Sequence, residues 1–322
     1  MRLPGRYLLL AGLALLLAAG AVMGLWYGPG PATTDRTVVV PRGSSLTAAA
    51  KELEAAGTIR SAPIFVRLAG ILGSDDPIHA GEYEVPAGAS ASAVLELLQS
   101  GRVVQHLLTI PEGTPSIVVH ERLMAQPLLT GDIGVPAEGS VLPDTYSFHR
   151  GESRQAVLAR MQEAMTKALD EAWQARKPTT AVSSKRDALI LASVVEKETG
   201  VESERRIVAA VFSNRLKTGM RLQADPTVIY PVTKGKPLGR RILRSELQAV
   251  NGYNTYTRTG LPEGPIANPG LRSIQAVLDP AKSDALYFVA DGKGGHVFAR
   301  TLPEHEANVR RFYEIRRQRG EM

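Results

Sequence analysis

The 322-residue chain contains no cysteine, which excludes disulfide bonds, thiol nucleophiles and cysteine-ligated zinc. Aromatic residues make up only 5% of the chain, and the six histidines show none of the paired spacings of a zinc hydrolase. The glycine-rich stretch DGKGG at 291–295 lies between two strand-like segments, so it is a hairpin turn and not a phosphate-binding loop. We therefore expect neither a metal nor a cofactor.

The chain has only a small excess of positive charge, with 38 Lys and Arg against 32 Asp and Glu, and this excess is spread along the sequence. Arg2 and Arg6 precede an apolar segment, and the remaining basic residues are spread along the chain. Nucleic-acid binding needs a concentrated basic surface, so we expect no nucleic-acid partner. With 22% charged and 44% hydrophobic residues, the bulk of the chain is globular, which excludes polytopic membrane proteins and disordered chains.

One long apolar run is present, at residues 7–27, and all 21 of its residues are uncharged. As a helix it would be about 31 Å long, close to the hydrocarbon thickness of a bilayer. The positive-inside rule places residues 1–6 in the cytoplasm as a short tail, and the rest of the chain outside the cytoplasmic (inner) membrane. A cleaved signal peptide is the alternative, although the run is long for one.

A Gly- and Pro-rich tether is predicted at 28–36, followed by a small subdomain at 37–110. Its pattern predicts a strand at 37–41, helices at 44–56 and 61–72, and a strand at 81–85. This βααβ order resembles a LysM-like module, a small cell-wall domain that holds glycans. A structural spacer is the alternative. A linking helix at 90–99 and an extended segment at 103–110 complete this part.

Residues 111–322 are predicted to form a larger domain that contains most of the chemistry. Its predicted elements are helices at 153–176, 185–199, 203–217 and 272–278, a long loop region between 217 and 271, a hairpin of 285–290 with 296–299, and a basic last helix from 303.

Glu198 is the most informative residue of the helix at 185–199. Leu191, Val194 and Val195 precede it by seven, four and three residues, so its side chain continues the apolar face of the helix. Burial would raise the pKa of this carboxyl group and keep it protonated near neutral pH, as a general acid requires. A solvent-exposed acid at the helix end is the alternative. Glu196 and Glu204 are expected to be solvated or capping charges.

Further polar and aromatic residues lie in predicted loops and are suited to sugar rings through hydrogen bonds and stacking. They are Gln223, Asp225, Asn254 and Tyr256. Thr199 follows Glu198 directly and is expected to orient its carboxyl group. Asp225 precedes a proline, so a role in starting a turn is its alternative.

Four long stretches carry a family resemblance: LASVVEKETG, ERRIVAAVFSNRLKTGMRLQADPTVIY, YNTYTRTGLPEGPIANPG and LYFVADGKGGHVFARTLPEH. In this order they resemble the MltG (YceG-like) family of endolytic murein transglycosylases. The resemblance implies that Glu198 is the catalytic residue. It also implies an α+β protein with an N-terminal transmembrane helix, a LysM-like subdomain and a C-terminal mixed α/β catalytic domain.

The implied reaction cleaves the β-1,4 bond between N-acetylmuramic acid and N-acetylglucosamine in nascent peptidoglycan strands and leaves 1,6-anhydro ends. The expected partners are glycan strands, the membrane and peptidoglycan synthases (penicillin-binding proteins), whose product the enzyme would shorten. Two alternatives stay open: a non-catalytic wall-binding scaffold, and a hydrolytic muramidase with Asp225 or Glu204 as its second carboxylate.

Overall fold

The computed structural model describes residues 5–320 and divides them into two compact units. The first unit extends to His106 and includes Ser147–Glu152, and the second consists of Leu107–Tyr146 and the chain from Ser153 onward. Of the predicted cytoplasmic tail, residues 1–4, with Arg2, lie outside the described residues.

Helix α1, Gly5–Tyr27, is the predicted membrane segment, and its part Leu9–Tyr27 is long and apolar enough to cross a bilayer. Its leucines from Leu9 to Leu25 are exposed, as expected of side chains that would face lipid. Trp26 is the exception, because it is buried against Phe65 with ring centroids 6.1 Å apart. The end of α1 is therefore fixed in the core of the first unit.

The segment predicted to be a tether is held against the first unit by hydrogen bonds. The amide of Gly30 donates to the Gly88 carbonyl, and the Arg60 guanidinium donates to the Pro29 carbonyl. A side chain at Gly30 would collide with the Ala89 carbonyl oxygen, so the close approach requires glycine. The composition is that of a linker, but this segment follows a defined path over the unit.

The first unit has the predicted βααβ order, with β1 (Arg36–Val40), α2 (Leu46–Ala55), α3 (Ala62–Leu72) and β2 (Gly81–Val85). Strands β1 and β2 pair antiparallel. Helix α4 (Ala91–Ser100) follows and packs on the same core. Ser45 and Ser90 cap α2 and α4 by accepting a backbone amide hydrogen bond. Strand β3, His106–Thr109, pairs with β4, Thr145–Phe148, which the sequence pattern missed.

The second unit is mainly helical, and its core lies around three helices near its centre. Its helices are α5 (Ser116–Met124), α6 (Arg154–Gln174), α7 (Lys185–Glu198), α8 (Arg205–Lys217), α9 (Asp225–Thr233), α10 (Arg244–Gln248), α11 (Leu271–Leu278) and α12 (Leu302–Gln318). Helices α7, α8 and α11 supply most of the fully buried side chains. The predicted hairpin is present as β5 (Tyr287–Ala290) and β6 (His296–Ala299), paired antiparallel.

Two helices lie in the region predicted to be a long loop, and this part of the prediction was wrong. Helix α9 begins at Asp225, with Pro226 in its first turn. A proline is tolerated there because the amide it lacks would have no helical partner anyway. The Asp-Pro pair therefore starts a helix and not a turn. Pro231 inside α9 further hides the helical pattern from the sequence.

Candidate active site

Glu198 is the last residue of α7. Ser184 begins this helix by accepting a hydrogen bond from the Asp187 amide. The residues Ala188 to Val195 that face the core are buried. Thr199 leaves the helical conformation, with φ −138° and ψ 130°, so the chain turns away directly after Glu198. The carboxyl group is thereby placed at the end of an apolar helix, as its spacing indicated.

A cavity of about 340 Å³ contains this carboxyl group. Its lining side chains are Glu198, Phe212, Arg215, Leu222, Gln223, Asp225, Tyr256, Phe288 and His305. Four of the six predicted site residues, Glu198, Gln223, Asp225 and Tyr256, therefore come together here. A larger cavity of about 670 Å³ beside α6 and α11 contains none of the six.

The surroundings of Glu198 favour its protonated form. Burial, and after it the nearby carboxylate of Asp225, raise the pKa of this carboxyl group to about 8 against the opposing effect of the Arg215 guanidinium. At neutral pH the group thus carries a proton that it can donate, and the same cavity can accommodate its carboxylate after the donation. Such a group suits general acid and then general base catalysis.

Arg215 is a cavity residue that the sequence reasoning missed, although the same logic would have found it. Val208, Phe212 and Arg215 lie on one buried face of α8, so a cation continues an apolar stripe. Its Nε donates to the Leu286 carbonyl at 2.7 Å, and its Nη1 donates to the Leu222 carbonyl at 2.8 Å. These bonds hold a positive charge beside Glu198.

Asp225 and Tyr256 form a hydrogen-bonded pair at the cavity wall. The Tyr256 hydroxyl donates to Asp225 Oδ1 at 2.5 Å. Burial raises the pKa of the Tyr256 hydroxyl, and its hydrogen bond to Asp225 and the charge of that carboxylate raise it further. The tyrosine therefore stays a donor, and the position of one Asp225 oxygen is fixed.

Gln223 lines the cavity in a left-handed backbone conformation, with φ +51°. Non-glycine residues rarely adopt this region, and its cost is of order 1 kcal/mol. The backbone amide of Gln223 donates to the Thr255 carbonyl, and this hydrogen bond holds the strained residue in place. Strain of this kind is concentrated at functional sites.

The structure does not bring Thr199 and Asn254 to the cavity. The Thr199 hydroxyl accepts from the Val201 amide at 3.0 Å and so shapes the turn after α7. Asn254 is fully buried, and its side-chain amide donates to the carbonyls of Glu246, Leu247 and Ala249. Both side chains stabilise local backbone, and neither is among the cavity-lining residues.

Glu196 and Glu204 were expected to be solvated or capping charges; both side chains are largely buried and paired, and Glu196 does act as a cap. Glu196 accepts from the Gly270 amide at 3.0 Å, which caps α11, and it forms an ion pair with Arg205. Glu204 binds the ring of His296 at 2.7 Å. Neither carboxylate lines the cavity of Glu198, so Glu204 does not supply a second acid there.

His305 of α12 is a further residue that the sequence reasoning did not select. It lines the cavity, and its ring stacks on Tyr287 at a centroid distance of 5.2 Å. Burial lowers the pKa of this imidazole, and the Arg215 charge lowers it further, so the ring is neutral at physiological pH. Its Nδ1 is buried without a hydrogen-bond partner. Among residues 5–320, no three His, Asp or Glu side chains are grouped as metal ligands.

Comparisons with known proteins agree with the motifs. The family model described as the YceG-like family matches residues 38–311. A Bacillus subtilis protein named endolytic murein transglycosylase is 30% identical, over 84% of this chain and 83% of the relative. A protein of the same name from Streptococcus pneumoniae serotype 2 is 29% identical over 91% of this chain, which spans 62% of that relative's length. A crystal structure of a YceG-like protein from Listeria monocytogenes is 30% identical, with a TM-score of 0.51, and the match covers 85% of this chain and 99% of that one.

Proposed function

Because the chain belongs to the YceG-like family, we propose that it is an endolytic murein transglycosylase whose catalytic residue is Glu198. The observation that carries the proposal is a carboxyl group with a pKa of about 8 in a cavity of about 340 Å³. A cavity of this size accommodates the reacting part of a glycan.

The proposed reaction uses one carboxyl group twice. Protonated Glu198 donates its proton to the oxygen that joins N-acetylmuramic acid to N-acetylglucosamine, and the bond from muramic C1 to that oxygen breaks. The resulting carboxylate then accepts the proton of the muramic C6 hydroxyl while O6 bonds to C1. The products are a 1,6-anhydro end and a free 4-hydroxyl, and Glu198 regains its proton without consumption of water.

The charges around Glu198 support both half-reactions. Burial keeps the proton on the acid before cleavage, and the Arg215 guanidinium stabilises the carboxylate that cleavage leaves behind. Asp225, held by Tyr256, places a negative charge where positive charge develops at C1. Gln223 and the Tyr256 ring are the proposed sugar contacts.

A hydrolytic muramidase is the second candidate, because Asp225 shares the cavity with Glu198. Two carboxylates can activate a water molecule between them. One oxygen of Asp225 is already bound by the Tyr256 hydroxyl, which favours the one-carboxylate reaction.

The rest of the chain is proposed to hold this site near new strands. Helix α1 would cross the cytoplasmic membrane with its N-terminus inside, and the βααβ unit would act as a LysM-like module that contacts glycan. A catalytic domain so placed would shorten the strands that peptidoglycan synthases produce.

Digestion of purified, uncrosslinked glycan strands by the full chain in detergent tests the proposal, with the strand ends identified by mass spectrometry. The wild type should release 1,6-anhydro ends, and Glu198→Gln should release none while keeping the wild-type circular dichroism spectrum. Glu202→Gln, which removes an exposed acid of the same unit, is the matched control and should remain active. Retained turnover in Glu198→Gln would contradict the assignment.

A further inference from the structure

Helix α3 in the first unit is apolar on a face that the protein does not cover. Ile64 is 46% exposed and Ile71 is 69% exposed. The two are seven residues apart, so they lie on the same face of the helix. The helix contains one charged residue and no acid; that residue, Arg67, is exposed on the same face between the two isoleucines. Within the described chain it is the one helix of 10–17 residues that is apolar in its overall composition.

This face is continuous with the surface of α1. Leu25 of α1 and Ile64 of α3 line the same narrow crevice at the end of the apolar segment. Leu68 lines it as well, on the buried side of α3. Ile64, which lies beside Leu25, is therefore at the depth of the last turn of the membrane segment.

The end of α1 and the residues that follow it are held by contacts within the first unit, which would keep the unit beside the proposed membrane span. Trp26 is 2% exposed, and its ring packs on Phe65 in α3 itself. The following residues are pinned by the hydrogen bonds from Gly30 to Gly88 and from Arg60 to Pro29. A helix fixed in this way to the end of a membrane span has its exposed face close to the lipid.

We propose that the Ile64–Ile71 face of α3 docks on the outer surface of the same bilayer that α1 crosses. The inference rests on the proposed anchoring by α1. Apolar side chains on one helix face, with an arginine among them whose long side chain can extend to the headgroups, are typical of helices that lie in a membrane interface. Asp75 and Asp76, exposed in the loop after α3, mark the end of the docked surface. Docking would fix the orientation of the first unit over the membrane.

Spin labelling of the full chain in phosphatidylcholine and phosphatidylglycerol vesicles tests this docking. The absence of cysteine allows single labels at Ile71→Cys, at Leu16→Cys in α1 and at Ala55→Cys on the charged face of α2. Each label is compared for collisions with oxygen, which partitions into lipid, and with a water-soluble nickel chelate.

The expected result is a ratio of oxygen to chelate collisions at Ile71 that is several-fold higher than at Ala55 and close to that at Leu16. Adding Ile64→Asp should lower the Ile71 ratio toward the Ala55 value. An Ile71 label that behaves like Ala55, while Leu16 is in lipid, refutes docking and leaves the anchor intact. A label shielded from both reagents would show that protein covers the face. A water-exposed Leu16 would refute the anchor and the docking together, and strand digestion by the same samples reports separately on catalysis.

Discussion

Replacing Glu198 by Gln should change how the stability of the protein depends on pH. The pKa of this carboxyl group rises from 4.5 to about 8 on folding. Below pH 4.5 both states are protonated, and the group contributes nothing. Between these values the unfolded chain loses its proton while the folded chain keeps it, so the free energy of unfolding falls by about 1.4 kcal/mol per pH unit. Above the folded pKa the loss is complete.

The Gln side chain does not titrate, so the free energy of unfolding of the variant does not fall with pH in this way. Between about pH 5 and about pH 8, the free energy of unfolding of Glu198→Gln should gain about 3 to 4 kcal/mol relative to the wild type. Urea unfolding of both proteins, as the full chain in a mild detergent and followed by circular dichroism, measures the difference. Titrating groups that do not interact with Glu198 are common to both proteins and cancel.

A difference between the two proteins that is constant over this pH range would refute the reasoning, because Glu198 would then titrate like an exposed carboxyl group. Glu202→Gln, measured in parallel, removes an acid whose side chain is 69% exposed and paired with Arg272. It controls for the general effect of losing a negative charge from the second unit.

Three further predictions follow from the geometry of the second unit. Activity should fall as pH rises through the pKa of Glu198, and Asp225→Asn should move this alkaline limb of kcat/KM to lower pH because it removes a neighbouring negative charge; an unmoved limb would argue against the coupling. Gln223→Gly should raise the free energy of unfolding by up to about 1 kcal/mol, because glycine adopts a φ of +51° without strain. It should also lower the rate of strand cleavage, because the side-chain amide in the cavity is lost. A less stable variant in urea unfolding would contradict the first expectation. Arg205→Met should destabilise the fold by roughly 3 kcal/mol because the largely buried Glu196 then loses its cationic partner and keeps only the Gly270 amide, and an unchanged melting temperature would show that the pair is not needed.

The sequence was sufficient to find the catalytic candidate because a helix repeats its faces regularly. A carboxylate on the stripe of Leu191, Val194 and Val195 had to be buried or to end the helix, and Glu198 ends the helix with its side chain partly buried in the cavity. Arg215 on α8 obeys the same rule and could have been found in the same way. The βααβ order of the first unit was equally predictable, since its strands and helices have clear periodicity and serine caps.

The roles of loop residues and the long-range contacts could not be predicted from the periodicity of the sequence. Asn254 and Gln223 look alike in sequence as polar loop residues, but one is buried on backbone carbonyls and the other lines the cavity. Short polar side chains serve the backbone as readily as a ligand. His305 lies on a basic and mostly exposed helix, and only the packing of α12 on the β5–β6 hairpin brings its ring to Glu198. Tertiary contacts of this kind leave no local pattern.

The most direct test of the one-carboxylate reaction is strand digestion in water labelled with heavy oxygen, followed by mass spectrometry of the new muramic acid ends. Our account predicts ends that are one water molecule lighter than reducing ends and contain no label, because the C6 hydroxyl of the sugar replaces water. Reducing ends with the label at C1 would contradict it and would assign the activation of water to Asp225.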